Sequence, residues 1–181
     1  MLFILSAILG IIIGLLLKGD IKKLDGSDLK GIYIPIIAFS IEIVLFTLVR
    51  KGIIERGLIT YIFYLIQFIL ISIFAYLNRK NKAVLIITSG FILNGLAIFL
   101  NGGAMPVNPD AAVAAGLYPS VDKINVSKEG LYVLQNDKTL FWFLGDIIPI
   151  KFIRGYVVSI GDILLCFGLI YYIVKSMKRA D

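Results

Sequence analysis

The chain has 181 residues, of which 59% are hydrophobic and 17% charged, with a formal net charge of +6 and a mean hydropathy of +0.94. A soluble domain carries nearer ~45–50% apolar and ~25% charged residues, so this chain has too little polar surface for a globule in water and far too much apolar surface for a disordered chain. With no His and a single Cys, Cys166 in an apolar run, neither a His/Cys metal centre nor a disulfide framework can be built, and no cofactor is expected.

The expected fold class is an all-α membrane protein. Crossing ~30 Å of hydrocarbon takes about 20 mostly apolar residues, and five stretches approach that length: residues 2–17, 31–49, 58–77, 83–100 and 155–174. The first is short, but Lys18 can extend it by reaching to the headgroups. Its start lacks basic residues and no small-residue cleavage site follows Leu17, so it reads as a retained helix and not a signal peptide. Ten Lys and Arg residues fall in the first and third connections and the C-terminal tail, all short segments; eight fall on the other side, five of them spread through a long loop. That bias predicts a multi-pass protein of the cell membrane with its N-terminus outside and its C-terminus in the cytoplasm. The positive charge then implies affinity for lipid headgroups, and no basic, aromatic-interleaved stretch outside the bilayer suggests a nucleic-acid partner.

Polar groups inside the spans are costly and must find partners or water. Glu42 falls in the middle of the second span, where it reads either as a neutral acid bonding across helices or as part of a site. Gln67 in the third span reads as interhelical glue. Asn94 and Asn101, seven positions apart, share one helix face and can point at one pocket.

Residues 101–154 form the only long connection, expected to fold as a small extracytoplasmic cap. Gly102, Gly103, Pro106 and Pro109 end the fourth helix and force a turn, and residues 111–117 can make one or two helical turns. Residues 131–134 and 139–143 flank Gln135–Asn136–Asp137–Lys138, a pattern that predicts a β-hairpin. Phe141, Trp142 and Phe143 suit an interfacial aromatic belt. Balanced charges (Lys123, Lys128, Lys138, Lys151 and Arg154 against Asp110, Asp122, Glu129, Asp137 and Asp146) favour an ordered cap.

Two aspartates sit in matching surroundings, Leu144–Gly145–Asp146–Ile147 and Ile160–Gly161–Asp162–Ile163. Two carboxyls brought close cannot both ionise, and the shared proton leaves one acid and one base, the pair needed to activate water on an amide carbonyl. Ser159 and Asp162 also fit the Ser-x-x-Asp signature of a helix N-terminus, and Asp146 can pair with Arg154 or Lys151.

The order Gly102–Gly103–Ala104, Asp146, Asp162 resembles the back half of the lipoprotein signal peptidases, in which a helix ends in Gly-Gly-Ala and two aspartates follow, the second at the start of the last helix. That resemblance implies a catalytic pair, Asp146 and Asp162, at the outer face of the membrane. The chain departs from it after the glycines, where Met105–Pro106–Val107–Asn108 stands in place of the family's Asn and Asp-Arg, and around the second aspartate, where Ser159–Ile160–Gly161 replaces Asn-x-Ala. Asn101–Gly102–Gly103 with Met105–Pro106–Val107, followed by Leu-Gly-Asp and Ser-Ile-Gly-Asp, resembles over nearly the whole chain a family of small bacterial multi-pass proteins of unknown function.

Three functions are compatible with these features. The first is an aspartyl intramembrane-type hydrolase of the peptidase class, acting on a membrane-embedded peptide or lipid-linked substrate, with Asp146 and Asp162 catalytic and Asn94, Asn101, Ser159 and Trp142 binding substrate. The second is a non-catalytic subunit or receptor whose cap docks a membrane protein or lipid. The third is a small proton or solute carrier lined by Glu42, Gln67, Asn94 and Asp162.

Overall fold

The structure, a computed structural model, describes residues 2–125, 131–152 and 154–179, and only the backbone of Phe152 and Arg154. Lys128, Glu129 and the Arg154 side chain, the last expected as a partner of Asp146, lie outside the described residues. The long helices are α1 (Leu2–Leu16), α2 (Tyr33–Arg50), α3 (Leu58–Leu77), α4 (Lys82–Leu100) and, after the long connection, α6 (Ile160–Met177). Four of the five, α2, α3, α4 and α6, are long and apolar enough to cross a membrane. Helix α1, expected as the short first span, has 15 residues, about 22 Å at about 1.5 Å per residue, less than the hydrocarbon thickness by itself.

The helices pack in a curved row: α2 on α3, α3 on α4, α4 on α6 and α6 on α1. No substantial packing joins α2 to α1 or α6 among the described residues, so the row stays open between its ends. Large apolar side chains such as Ile4, Ile43, Leu58 and Phe167 face outward, as lipid-exposed positions do. Without a hydrophobic drive between helices in lipid, close packing supplies the attraction, and small residues sit at the closest crossings. Gly10 of α1 lies against Ile173 and Ile170, and Gly14 against Met177, of α6. Gly90 of α4 faces the Gly161 backbone of α6.

One end of the row collects the basic loops. Asp20 N–H donates to the Met177 carbonyl at 2.8 Å. The Lys23 ammonium donates to the Arg179 carbonyl, and the Arg179 guanidinium bridges Asp25 at 3.2 Å and Asp28 at 3.5 Å. Asn78, at the end of α3, ties down the backbone of Lys30 in both directions.

The other end carries residues 101–159. Helix α4 stops where Gly102 and Gly103 turn into the left-handed region (φ 72° and 75°), and Gly103 N–H returns to the Ile98 carbonyl at 2.9 Å. Strand β1 (Met105–Val107) follows, then the six-residue helix α5 (Pro109–Ala114), N-capped by Asn108 through Ala111 N–H at 2.8 Å. Strand β2 (Tyr132–Leu134) pairs in parallel with β1. The hairpin expected between residues 131–134 and 139–143 therefore does not form. The second of those segments instead runs into a short 3₁₀ helix, Trp142–Leu144, and β2 takes its strand partner from β1. The antiparallel pair in this region is β3 (Ile148–Phe152) with β4 (Arg154–Val158). Residues 155–158, expected to open the last span, are thus in β4, and α6 begins only after Ser159. The β-branched pair Val157–Val158 suits that extended backbone.

Candidate functional site

Asp146 enters the site from the connection between α4 and α6. Its backbone runs alongside β1, with Asp146 N–H donating to the Pro106 carbonyl and Asn108 N–H to the Asp146 carbonyl, both at 2.8 Å. Gly145 makes that approach feasible: a Cβ there would run into the Pro106 carbonyl. The Asp146 side chain is buried, with the residue only 7% exposed, and its Oδ1 has no hydrogen-bond partner among the described residues. Burial first, and the neighbouring Asp162 charge second, push its carboxyl up to about 8. At neutral pH a carboxyl raised that far holds its proton, because burial favours the uncharged form.

Asp162 arrives from the first turn of α6. Ser159 and Asp162 form a capping box: Asp162 N–H donates to Ser159 Oγ at 2.9 Å and Ser159 N–H to Asp162 Oδ2 at 3.2 Å. The second carboxylate oxygen, Oδ1, accepts from the Asn94 amide of α4 at 2.8 Å, and Ser159 Oγ–H donates to Asn94 Oδ1 at 2.7 Å. The three side chains close a ring across the α4–α6 crossing. Gly161 is a condition of that ring, since a Cβ there would collide with Asn94 Oδ1 and with the Gly90 carbonyl. Each glycine of the repeated Gly-Asp-Ile thus has the same physical task, letting the backbone beside an aspartate press against its neighbour.

Both aspartates line one cavity of about 520 Å³, walled by the connection between α4 and α6 and by the long helices. Its polar groups are Glu42 of α2, Tyr64 and Gln67 of α3, Asn94, Tyr132 of β2, Asp146, Tyr156 of β4 and Asp162. The rest is apolar and rich in phenylalanine, with Leu2 and Phe3 of α1 at one edge and Phe39 and Phe46 of α2 at another. Its lining thus reaches both α1 and α2, the two helices at the ends of the row, which do not pack substantially on each other among the described residues.

The other residues singled out by the sequence separate clearly. Glu42 lies on the same cavity, and none of the described residues hydrogen-bonds its carboxyl. Gln67 is buried and donates to the Ala38 carbonyl of α2 at 2.9 Å, tying α3 to α2 one turn before Glu42. Asn101 does not line the cavity: it accepts from Leu140 N–H at 2.9 Å and donates to the Leu140 carbonyl at 2.8 Å. Trp142 is also outside it, 57% exposed beside Phe141 and Phe143. Among the described residues no three His, Cys, Asp or Glu side chains converge closely enough to hold a metal ion. Sequence reasoning missed Tyr64, Tyr132 and Tyr156 on the cavity wall. Nothing in their spacing distinguishes them from interfacial tyrosines, because the cavity assembles from separate elements.

Comparison with known proteins supports a relationship over most of the chain. An uncharacterised protein of Thermotoga maritima is 27% identical over 163 residues, covering 88% of this chain and 84% of that protein. No solved structure matches. The model of a family of unknown function, DUF5317, matches residues 26–174, from the loop after α1 to the last turns of α6, and the chain belongs to that family.

Proposed function

We propose that the chain is a membrane-embedded aspartate-dependent hydrolase, acting on an amide of a peptide or lipid-linked substrate that reaches the cavity from the bilayer. The observation that carries this reading is the shared cavity of Asp146 and Asp162, in which one carboxyl is buried with an oxygen that none of the described residues hydrogen-bonds and the other is held in a hydrogen-bonded ring. Unlike surroundings for two neighbouring carboxyls are what divides acid from base. Asp162, oriented by Asn94 and Ser159, accepts a proton from a water that attacks the amide carbonyl. Asp146, protonated, gives its proton to the departing nitrogen. The products are a carboxylic acid and an amine, and the pair returns to its starting state by passing one proton from Asp162 to Asp146. In this reading the short helix α1 serves as a fifth crossing, the N-terminus lies outside, and the cap sits at the outer face of the cell membrane.

The test is cleavage of a panel of quenched fluorogenic lipopeptides by the purified chain in liposomes. A lost general acid or base costs typically 10²–10⁴-fold, so Asp146→Asn and Asp162→Asn should each reduce turnover by at least about a hundredfold. Cleavage that survives in either variant, or no cleavage by the wild-type chain, overturns the reading.

A second reading, proton carriage, draws on Glu42 lying on the same cavity as the two aspartates. It predicts that a pH step across sealed vesicles relaxes faster with the protein present, and that Glu42→Gln abolishes the difference.

A further inference from the structure

The cavity walls carry an unbalanced set of groups. Glu42, Asp146 and Asp162 all line it, while its described lining residues include no Lys or Arg. Neither the Glu42 carboxyl nor the buried Asp146 Oδ1 has a hydrogen bond from the described residues. Polar groups in that state are expensive within a membrane protein and mark a place where something else supplies the missing partner. The missing partner is positive or a donor, because three carboxyl groups line the space and none of its described lining residues carries a fixed positive charge.

The remaining wall restricts the ligand further. Phe39, Phe46, Phe68 and Phe91 line the cavity, together with Tyr64, and aromatic faces attract cations that carry their charge in an organic shell. A bare metal ion is a poor match, since no three ligating side chains converge among the described residues and the space is about 520 Å³. That volume lies in the range of sites for drug-sized organic molecules.

We infer that the cavity recognises a hydrophobic organic cation, an ammonium or similar positive group on an apolar body, with Glu42 as its principal counter-charge. The cation reaches the cavity through the gap between α1 and α2, sets its apolar body against the phenylalanines and its charge toward Glu42 and Asp162. This deepens the hydrolase proposal by naming a substrate class for the same cavity, and it rests on that cavity but not on cleavage taking place there.

The probe pair is tetraphenylphosphonium and tetraphenylborate, nearly identical in shape and opposite in charge. Each is titrated calorimetrically into the full chain in nanodiscs of zwitterionic lipid, with empty nanodiscs as the blank. The expected result is saturable binding of the phosphonium at one per chain, no saturable binding of the borate, and at least a tenfold weaker phosphonium affinity in Glu42→Gln. Because that variant is nearly isosteric, a thermal melt beside the titration shows that it is folded, and the wild-type comparison of the two ions stands without it. Equal binding of both ions, no saturable phosphonium binding, or an affinity untouched by Glu42→Gln in a folded variant overturns the inference. Cation binding without lipopeptide cleavage retires the hydrolase alone; cleavage without cation binding retires this inference alone.

Discussion

The Asn94 amide and the Asp162 carboxylate, 68 positions apart in the chain, meet at 2.8 Å across the α4–α6 crossing. The same asparagine accepts from Ser159 Oγ at 2.7 Å, so one side chain on α4 fixes both members of the box that starts α6. Replacing it by leucine strands Ser159 Oγ and Asp162 Oδ1. Interhelical hydrogen bonds in membranes average ~0.6 and reach ~1.7 kcal/mol, while bonds to charged groups reach about 1.5–3 kcal/mol. Asn94→Leu should therefore cost about 1–2 kcal/mol, read from reversible denaturant unfolding in mixed micelles. A loss within a few tenths would show that the ring contributes nothing to holding α4 on α6.

Gly161 sets a stricter condition. A methyl group there meets Asn94 Oδ1 and the Gly90 carbonyl, so Gly161→Ala must spread the two helices and break the Asn94 bonds together. Overpacking costs typically ~1–3 kcal/mol, in addition to the lost ring. Gly161→Ala should exceed Asn94→Leu in the same unfolding assay, and the double variant should fall clearly short of the sum, since the two changes remove one set of bonds. Strict additivity would place the glycine's role elsewhere.

The pH dependence follows from Asp146. Its carboxyl keeps its proton up to about 8 in the folded protein, against an ordinary value of 3.8. Between those limits the unfolded chain binds fewer protons than the folded one, so stability falls as pH rises and the loss is complete only above the folded value. Each unit of difference is worth about 1.4 kcal/mol. Unfolding measured between pH 5 and 9 should show declining stability that Asp146→Asn flattens. If Asp146 is the proton donor to a leaving nitrogen, cleavage also falls on the alkaline side, with a midpoint near 8. A stability profile unchanged by Asp146→Asn would contradict the buried, unpaired placement of that carboxyl.

The helices are legible in the sequence because an apolar run of some twenty residues fits little besides the bilayer, and the left-handed pair Gly102–Gly103 is readable as the end of α4. Ser159 and Asp162 are readable as a helix start, yet hydropathy opens the last span four residues before Ser159, since Gly155–Val158 is as apolar as a span and alternation over so few residues does not separate strand from helix. The pairing of the cap is illegible for a different reason. β1 and β2 pair in parallel across residues 108–131, and a non-local partner leaves no local signature. The neighbouring Asn136–Asp137 turn chemistry points to a local hairpin instead. Asp146 and Asp162 stand out by their repeated surroundings, but only helix periodicity groups Asn101 with Asn94. Helix α4 ends at Leu100, and past that point the periodicity no longer governs where a side chain goes.

Asn101 is the residue that presents the aromatic ridge, and the chain's single tryptophan reports on it. Its amide clamps both backbone groups of Leu140, immediately before Phe141, which sits in the left-handed region at φ 49°. A bulky residue holds that conformation only where its surroundings over-determine it, and here the clamp on one side and the 3₁₀ turn Trp142–Leu144 on the other do so. The result is a run of exposed apolar side chains, Leu140 to Phe143, which in water would be a liability and at the headgroup level is an anchor. In liposomes Trp142 fluorescence should be quenched more by lipids brominated near the headgroup than by lipids brominated at the chain ends. Asn101→Ala should weaken that depth preference, because the clamp on Leu140 is gone, while the far-ultraviolet helix signal stays unchanged. Quenching by aqueous iodide alone, with no response to brominated lipid, would mean that the ridge points away from the bilayer and waits for a protein surface instead.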